Sequence, residues 1–418
     1  MTPKDFLDDF VGTSLWSTLP AKHRFKYTKE PNTGMKESHR LALTMKGVID
    51  RSLDDNEGLQ SSDYGSYQIF EPGDLAFKLI DLQNIKTSRV GLVPRRGIMS
   101  PAYIRLVPTS DVVVSKFYYW YFYAAYIGNI FNGLGGGIRQ NLSQTELLNF
   151  PVPDLSQDDQ NAIADYLDRE TARIDGLIAQ KTRFIAVLDD KEKAMIAHFV
   201  RRGIDASAPT KDSGVEWRGA VPAHWQRARM KNHFKQVKRQ GFDDLTVLSV
   251  YREFGVIEKA SRSDNINKTP EDLSKYQLVE PNDLAINKMK AWQGSMGISP
   301  FLGITSPDYV VMKPVGEHNP RYMHHYLRAR PMPWVYRLIS NGIRTDQWRM
   351  EPEKFLELPI FLPPMDEQEA IANRIDRELD RIRGLIEKTE RSIALLKEKR
   401  AALITAAVTG KIDVRAAA

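Results

Sequence analysis

One polar, helix-like segment occurs twice in this chain. Gln160–Ile178 and Gln368–Ile386 are identical at 12 of 19 positions, and they lie 208 residues apart, half of the 418-residue chain. At the same offset, residues 147–205 and 355–413 share 25 of 59 positions without a gap. An internal repeat constrains architecture before any local pattern does, so we expect two related halves.

The similarity between the halves extends upstream of these segments in a weaker form. EPGDLA at Glu71–Ala76 corresponds to EPNDLA at Glu280–Ala285, and Ser100–Tyr103 corresponds to Ser306–Tyr309. Each half is therefore predicted to be a globular domain followed by a long helix. The helices are alike and the domains differ, which indicates one shared task for the helices, such as binding the same partner twice, and two different readings of one kind of ligand by the domains. The alternative is a duplication that drifted, with helices changing more slowly because packing constrains them.

Both repeated segments show the spacing of a coiled-coil seam. The seam residues follow one another at alternating intervals of four and three, with two polar interruptions in each copy. A helix of about 43 residues rises roughly 65 Å and must bury its seam, so we expect the two copies to pack antiparallel. Ser156 with Asp159, and Asp366 with Glu369, are predicted N-caps. The predicted seam is Ile174, Ile178, Lys181, Ile185, Leu188, Glu192, Met195 and Phe199, repeated as Ile382, Ile386, Thr389, Ile393, Leu396, Arg400, Leu403 and Ala407.

The globular parts mix short strands with apolar helices. Leu75–Ile80, Val90–Pro94 and Tyr309–Pro314 are short apolar runs between Gly, Pro and Asp, and they are predicted strands. Lys116–Phe131 and Arg321–Ile339 are predicted buried aromatic helices. We therefore predict an α+β fold, with two pseudo-symmetric α/β domains separated by two long helices packed as an antiparallel coiled-coil-like spacer. The predicted bounds are 1–155 and 206–362 for the domains, and 156–205 and 363–418 for the helices.

Composition narrows the class of protein. The chain has no cysteine, so it has no disulfide framework and no cysteine zinc site, as in a reducing cytoplasm. Its first residues lack the pattern of a signal peptide. The most apolar run, Val112–Phe131, contains a lysine and five tyrosines, so we interpret it as a buried helix rather than a membrane span. A cytoplasmic protein without membrane association is expected.

No motif of a catalytic or cofactor site is present. TGKI at Thr409–Ile412 lacks the remainder of a Walker A loop, and the glycine run Gly133–Gln140 ends an aromatic helix instead of linking a strand to a helix. His324 and His325 are adjacent, so they do not share a helical face as a metal pair would. We predict no catalytic residue, metal or cofactor in this chain, which favours a recognition protein over an enzyme.

The charge of the chain is moderately basic. The net charge is +6 and the pI is near 9.1. Segments 156–205 and 366–413 together hold 18 basic and 20 acidic residues, so the positive excess lies on the globular domains. A basic domain surface is typical of nucleic-acid binding, but ordinary surface charge is the better explanation for an excess of this size taken alone.

The motifs together resemble the DNA-specificity (S) subunits of Type I restriction–modification systems. The resemblance rests on PMDEQEAIANRID at Pro364–Asp376, its counterpart LSQDDQNAIADYLD, LLKEKRAALITAAVTGKIDVR at Leu395–Arg415 and SGVEWRGAVPAHW at Ser213–Trp225. It covers essentially the whole chain. In the first half, Asp159-Gln160 replaces the usual Glu-Gln, and Phe199–Gly203 replaces the Val-Thr-Gly ending.

The resemblance implies a function and a set of partners. Such subunits hold a target-recognition domain at each end of a bar of two antiparallel helices, and each domain reads half of a split, asymmetric site in double-stranded DNA. The helices bind two modification subunits that methylate adenine, and restriction subunits with translocase and nuclease activity join the assembly. S-adenosylmethionine, ATP and Mg are expected on those partner subunits, and the specificity subunit itself is not an enzyme.

Candidate DNA-binding residues are hydrogen-bonding side chains in the predicted loops. Arg and Lys recognise guanine and phosphate, and Asn and Gln recognise adenine. Arg139 and Arg344 are favoured because each follows a glycine-bearing turn at an equivalent position. Solvent exposure without DNA contact is the alternative for each cation, and a core role is the alternative for the two tyrosines. The candidates are Lys78, Arg95, Arg96, Tyr103, Arg139 and Gln140 in the first domain and Lys288, Lys290, Trp292, Gln293, Tyr309 and Arg344 in the second.

Candidate partner-binding residues are repeated in both helices and lie off the seam. The alternative for them is pairing within the helix, such as Asp168 with the next turn. They are Asp168, Arg169, Glu170 and Arg173, and their counterparts Asp376, Arg377, Glu378 and Arg381.

Three other functions stay open on sequence grounds. The chain could be the specificity subunit of another bipartite restriction class, or a coiled-coil scaffold whose end domains bind ligands other than DNA. It could also be an enzyme whose site carries no recognised motif. The sequence does not identify the recognised bases, the spacer length, which side chains contact bases rather than phosphates, or whether both helices bind the partner equally.

Overall fold

The chain consists of two sheet-rich domains and two long helices. The computed structural model describes residues 10–12, 14–52, 63–80, 82, 88–134, 141–262, 269–342 and 348–414. The long helices are Gln157–Arg202 and Met365–Val408. Residues 1–182 with 390–418 form one unit and residues 183–389 form another, so each unit contains one domain and one part of each long helix.

In its described residues the first unit contains two four-stranded sheets and one strand pair. One sheet is antiparallel throughout, and the other includes one parallel contact, between Arg40 and Ile98. The antiparallel sheet has the order Phe25–Tyr27, Ile104–Pro108, Leu75–Phe77, Val90–Leu92; the other has the order Gly47–Arg51, Arg40–Thr44, Gly97–Met99, Gln68–Phe70; and Thr18–Pro20 pairs with Pro151–Pro153.

The second unit repeats the antiparallel sheet with the same order of equivalent strands. This sheet runs Phe234–Val237, Tyr309–Pro314, Leu284–Asn287, Met296–Ile298. The shared strand order is the structural counterpart of the sequence repeat. The remaining strands form antiparallel pairs: Thr210–Asp212 with Ala220–Pro222, Gln226–Arg229 with Pro359–Leu362, Leu248–Tyr251 with Gly255–Glu258, Gln277–Val279 with Gly303–Thr305, and Ser340–Asn341 with Arg349–Met350.

The repeated EPxDLA motif forms a tight turn that leads into a central strand of this sheet. The Asp74 N–H donates to the Glu71 carbonyl at 3.1 Å, and the turn between them places Gly73 at φ +89°. In the second unit Asn282 occupies the same position at φ +73°. A proline followed by a residue with positive φ is the signature of a type II turn, and Gly and Asn tolerate that conformation best.

The aromatic helices are each broken into two, which differs from the single helices predicted for Lys116–Phe131 and Arg321–Ile339. In the first unit the break separates Ser115–Ile127 from Ile130–Leu134, at Asn129 with φ +58°. In the second unit it separates Pro320–Arg328 from Met332–Leu338, because Pro331 and Pro333 prevent a continuous helix. One face of each pair is buried as predicted, but Trp334 and Leu338 of the second pair are exposed. Within the described ranges, Gln144–Leu148 and Pro352–Leu356 form further short helices.

Within each unit the parts of the two long helices lie side by side. In the first unit Asp159 and Ile163 line the same cavity as Ile412, and sixteen residues after Asp159 the Asp175 carboxylate pairs with Arg400 at 2.9 Å. Residue numbers therefore increase in opposite directions along the two helices of this unit, as the predicted antiparallel packing requires. In the second unit the end of the first helix at Gly203 lies against Glu367, in the first turn of the second helix.

The predicted seam is confirmed by burial. Every seam residue in both helices is buried or half-buried, including the polar Lys181, Glu192 and Arg400. The Ser156 cap is also confirmed, because its hydroxyl accepts from the Asp159 N–H at 3.2 Å. The predicted Asp366 cap is wrong, because the second helix begins one residue earlier at Met365. Asp366 lies in the first turn, where a carboxylate stabilises the helix dipole.

No helix in the described ranges combines the length and the apolar character that a membrane span requires.

Candidate nucleic-acid interface and its anchorage to the helices

The candidate cations of the first domain lie beside carboxylates. Arg95 is exposed and its guanidinium lies 3.4 Å from Asp50. Arg96 pairs with Glu37 at 3.2 Å and also with Glu71. Exposed pairs of this kind contribute about 0–1 kcal/mol, so both guanidinium groups can be released to a polyanion at small cost. Lys78 is half-buried, and Arg139 and Gln140 lie outside the described residues.

The two candidate tyrosines occupy equivalent positions in the two domains. The Tyr103 carbonyl accepts from the Gln68 side chain at 2.6 Å, and the Tyr309 carbonyl accepts from Gln277 at 2.9 Å. Each ring packs against an apolar cluster, and burial raises the pKa of each phenol. This is the arrangement expected of the core alternative, and DNA contact by these rings stays a prediction.

Four of the second domain's candidates lie in one segment that joins two adjacent strands. Lys288 is half-buried, and its carbonyl accepts from the Met350 N–H at 3.1 Å. Lys290 is exposed, and Trp292 and Gln293 are half-buried in a short 3-10 helix. The structure therefore gathers Lys288, Lys290, Trp292 and Gln293, as their closeness in sequence predicts. Arg344 lies outside the described residues.

An aromatic cluster, which the sequence did not reveal, adjoins this segment. The Trp292 and Trp348 rings are 5.7 Å apart between centroids. The Arg337 guanidinium lies 5.0 Å from the Trp348 ring and 5.7 Å from the Trp334 ring. We call Trp292, Trp334, Arg337 and Trp348 the tryptophan–arginine cluster. Its members come from three separate stretches of chain, so no local pattern identifies it.

A buried glutamine joins each domain to its own long helix. In the first unit the Gln160 side chain accepts from the Val114 N–H at 2.8 Å and donates to the Leu155 carbonyl at 3.0 Å. In the second unit Gln368 accepts from the Asn319 N–H at 2.9 Å and donates to the Pro363 carbonyl at 2.9 Å. Gln160 and Gln368 are equivalent in the repeat.

These glutamines explain part of the repeat's conservation between the halves. Val114 and Asn319 immediately precede the aromatic helices, so each glutamine satisfies a free N–H at a helix start and fixes that helix against the long one. In the sequence this Gln is one residue of a repeated motif, with no local pattern that indicates its partner. Its presence in both halves was the available signal for a structural role.

The candidate partner-binding carboxylates Asp168 and Asp376 also bind their own domains. Asp168 accepts from the Trp120 indole N–H at 2.9 Å and pairs with Lys116 at 2.5 Å. Asp376 accepts from Arg321 at 2.6 Å and contacts His325 at 3.0 Å, and the hydrogen bond with His325 lowers the pKa of Asp376. The intramolecular partner of Asp168 is therefore on the aromatic helix, not on the next turn of its own helix.

Other candidate partner-binding residues make contacts within their own helix. Glu170 pairs with Arg173 at 2.9 Å, and Glu378 pairs with Arg374 at 3.0 Å and lies 3.9 Å from Arg381. These pairs match the alternative interpretation of the repeated charges. The guanidinium of Arg169 lies over the Tyr166 ring at 5.7 Å, and Arg377 is exposed. Contact of all eight residues with a partner subunit stays a prediction.

Replacing Gln368 with alanine is expected to destabilise the second unit by about 2–4 kcal/mol, because the part-buried Asn319 N–H and the buried Pro363 carbonyl each lose their partner. Gln160→Ala is expected to have the same effect in the first unit. Denaturation of the full chain measures the change. Gln157→Ala is the matched control, since Gln157 is exposed and donates only to the Asp111 carbonyl. Equal stability of the Gln368 and Gln157 variants would contradict the anchoring role.

A buried ion pair between Asp74 and Arg105 stabilises the EPGDLA turn of the first domain. The Asp74 carboxylate accepts from the Arg105 guanidinium at 2.5 Å and from the Glu71 N–H at 2.7 Å. Asp74 is 2% exposed and Arg105 is 5% exposed. Burial raises the pKa of Asp74, although the Glu71 N–H and Arg105 act in the opposite direction. In the second domain Asp283 accepts from the Glu280 N–H at 2.9 Å and pairs with Arg239.

No group of three or more potential metal ligands is found in the portion of the chain that the structure covers.

Known proteins that are similar to this chain come from type I restriction–modification systems. No protein-family model matches the chain. A curated relative, the putative type I restriction enzyme MjaX specificity subunit of Methanocaldococcus jannaschii, is 23% identical over 282 residues. The match covers 66% of this chain and 63% of the relative, so it spans less than two thirds of that protein.

Two solved structures share the fold over nearly the whole chain. One comes from work on complex assembly and conformational transition of the type I R-M system, with a TM-score of 0.68, 12% identity and coverage of 95% of this chain and 98% of the other. The second is the HsdS subunit from Thermoanaerobacter tengcongensis, with a TM-score of 0.53, 13% identity and coverage of 95% and 97%. The fold is thus that of two sheet-rich domains with two long helices. The predicted resemblance to specificity subunits of type I restriction–modification systems is confirmed.

Proposed function

We propose that this chain is the DNA-recognition subunit of a type I restriction–modification complex. Each sheet-rich domain would read one half of a bipartite, asymmetric site, and the long helices would bind two adenine-methyltransferase subunits, to which restriction subunits are added. The chain would contribute no catalytic group, and S-adenosylmethionine, ATP and Mg would be bound by the partners. Its similarity to a specificity subunit and to the HsdS fold supports the proposal.

The equivalent hydrogen bonds of Gln160 and Gln368 give the strongest support for this proposal. The glutamine anchors fix two domains of different sequence to two helices of similar sequence through the same hydrogen bonds. Such an arrangement suits a protein that presents two different reading surfaces on one common support. Each long helix continues without a break from residues of one unit into residues of the other, and the central helix rises about 69 Å over its 46 residues.

The two long helices would set the distance between the two halves of the DNA site. Two modules on a rigid bar contact half-sites about one helical turn apart, roughly 34 Å on B-DNA. The helices would determine the spacer length, and the domain loops would determine the bases. Basic side chains such as Lys290 and Arg95 would contribute phosphate contacts, and each such contact steepens the loss of affinity with salt.

Selection from random DNA duplexes tests this function. The full chain, purified with the modification subunits from the same cells, is incubated with a duplex pool, and the bound fraction is sequenced. We expect two blocks of fixed bases separated by an unspecified spacer of constant length, and binding that weakens as salt rises. A bound fraction without sequence preference would contradict the proposal and would favour the scaffold alternative.

A further inference from the structure

The short helix Met332–Leu338 of the second domain presents two large apolar side chains to solvent. Trp334 is 70% exposed and Leu338 is 75% exposed. They lie four residues apart, so they occupy one face of the helix. The opposite face is anchored, because Met332, Val335 and Tyr336 are buried in the domain core. The exposed pair is thus held on a fixed support.

Trp334 is also held by its neighbour in the tryptophan–arginine cluster. The Arg337 guanidinium lies over the Trp334 indole and also over the Trp348 ring. Stacking of this kind limits the rotamers of both side chains and leaves much of the Trp334 ring uncovered. An aromatic side chain ordered before binding loses little conformational entropy when a ligand stacks on it.

The surroundings of this face are basic. Residues 284–300 include Lys288 and Lys290 and no acidic residue. Residues 319–342 include four arginines and no acidic residue, although Arg321 and Arg330 pair with Asp376 and Asp190 of the long helices. The helix packs beside the segment that carries these lysines, since the Trp292 and Trp348 rings are in contact and Arg337 lies over Trp348. Tryptophan and arginine are also common where proteins bind each other. The Glu351 carboxylate lies near the end of the helix, where it accepts from the Asn341 side chain, but Arg337 and the two lysines outnumber it, so the apolar face suits a polyanion.

We propose that Trp334 and Leu338 form a wedge that packs against an unstacked base step in the DNA half-site read by the second domain. Apolar side chains that enter a base step unstack it and bend the duplex, which brings phosphates closer to the protein. Arg337 and Lys290 lie where they would neutralise those phosphates. This inference rests on the proposed function and adds to it: the second domain reads the deformability of its half-site as well as base edges.

Fluorescence of 2-aminopurine tests the wedge. The base analogue is placed in turn at each adenine in and beside the second half-site of the selected duplex, and the full chain is added with its modification subunits. We expect one step to show a several-fold rise in fluorescence, because 2-aminopurine brightens on unstacking. Trp334→Ala is expected to abolish the rise and to weaken binding roughly 5- to 150-fold, the range measured for loss of one base–aromatic stack. Trp334→Phe is expected to retain most of both.

Leu338→Ala and Leu302→Ala are a matched pair for the same measurement. Leu302 is 53% exposed in the same unit, in the segment just before the strand Gly303–Thr305. We expect Leu338→Ala to weaken binding and Leu302→Ala to leave it unchanged. All substituted side chains are exposed, so unchanged thermal unfolding checks that the variants fold. Enzymes that methylate a base extrude that base from the duplex, so the target adenine can brighten without a wedge. If the rise occurs at that adenine alone, and Trp334→Ala leaves it intact, the wedge is refuted.

The outcomes separate this inference from the proposed function. Sequence-specific binding by the wild type, with unchanged affinity and fluorescence for Trp334→Ala, would overturn the wedge alone. Absence of any sequence preference in the wild type would overturn the proposed function. A Trp334→Ala variant that binds its DNA normally but no longer co-purifies with the modification subunits would show that the exposed face is a protein contact, which also overturns the wedge.

Discussion

Replacing Asp74 with alanine is expected to lower the free energy of unfolding of the first unit by about 3–5 kcal/mol. The substitution removes the buried partner of Arg105, a residue that is 5% exposed, and its other carboxylate contact, Glu30, lies 3.3 Å away on the surface. It also removes the acceptor of the Glu71 N–H that closes the turn. A buried cation that keeps only a half-exposed partner such as Glu30 costs more than the pair itself contributes.

Urea denaturation of the full chain measures this effect, and amide hydrogen exchange assigns the transition to the first unit. Asp50→Ala is the control of the same residue type, because Asp50 forms only exposed pairs with His39 and Arg95. Asp50→Ala is expected to cost less than about 1 kcal/mol. Asp283→Ala is expected to cost less than Asp74→Ala, since Arg239 is more exposed than Arg105 and retains Glu280 as a partner. A loss below 1 kcal/mol for Asp74→Ala would contradict the proposed stabilisation of the first domain by the Asp74–Arg105 pair.

Lengthening both long helices by one heptad is expected to change the spacer of the recognised site and leave both sets of bases unchanged. Duplicating residues 179–185 and 387–393 inserts equivalent segments and keeps the seam in register. Seven helical residues add about 10.5 Å, which corresponds to up to about three base pairs of B-DNA. Methylation of the expanded site in cells, read by sequencing, measures the result.

The insertion has an internal control. A heptad added to only one helix leaves its seam without a matching partner, so that variant is expected to lose assembly and methylation. If the doubly lengthened protein recognises new bases at an unchanged spacing, the long helices do not determine the spacer length.

The long helices were the most predictable part of the fold. Their seam has a regular period, so burial of residues such as Ile174 and Ile382 follows from spacing alone. The strand Tyr309–Pro314 was predicted with its observed bounds, because Asp308 and a terminal proline mark its ends. The breaks in the aromatic helices were missed, since an apolar pattern conceals a left-handed residue such as Asn129.

The candidate site was predictable only where its residues are neighbours in sequence. Lys288–Gln293 was identified because four suitable side chains occur in six residues. Trp334, Arg337 and Trp348 were missed because their contact depends on how a helix packs beside that segment. The roles of Gln160 and Asp168 were missed for the same reason, since their partners lie 46 and 48 residues away. Arg139 and Arg344, the favoured candidates, stay predictions.

The most direct measurement for the central claim is a genome-wide map of methylated adenines in cells with and without this gene, with the modification subunit present in both. If the chain reads a bipartite DNA site, one split motif is methylated only when the gene is present, and restoring the gene restores that motif. An identical set of methylated motifs in both strains would contradict the account.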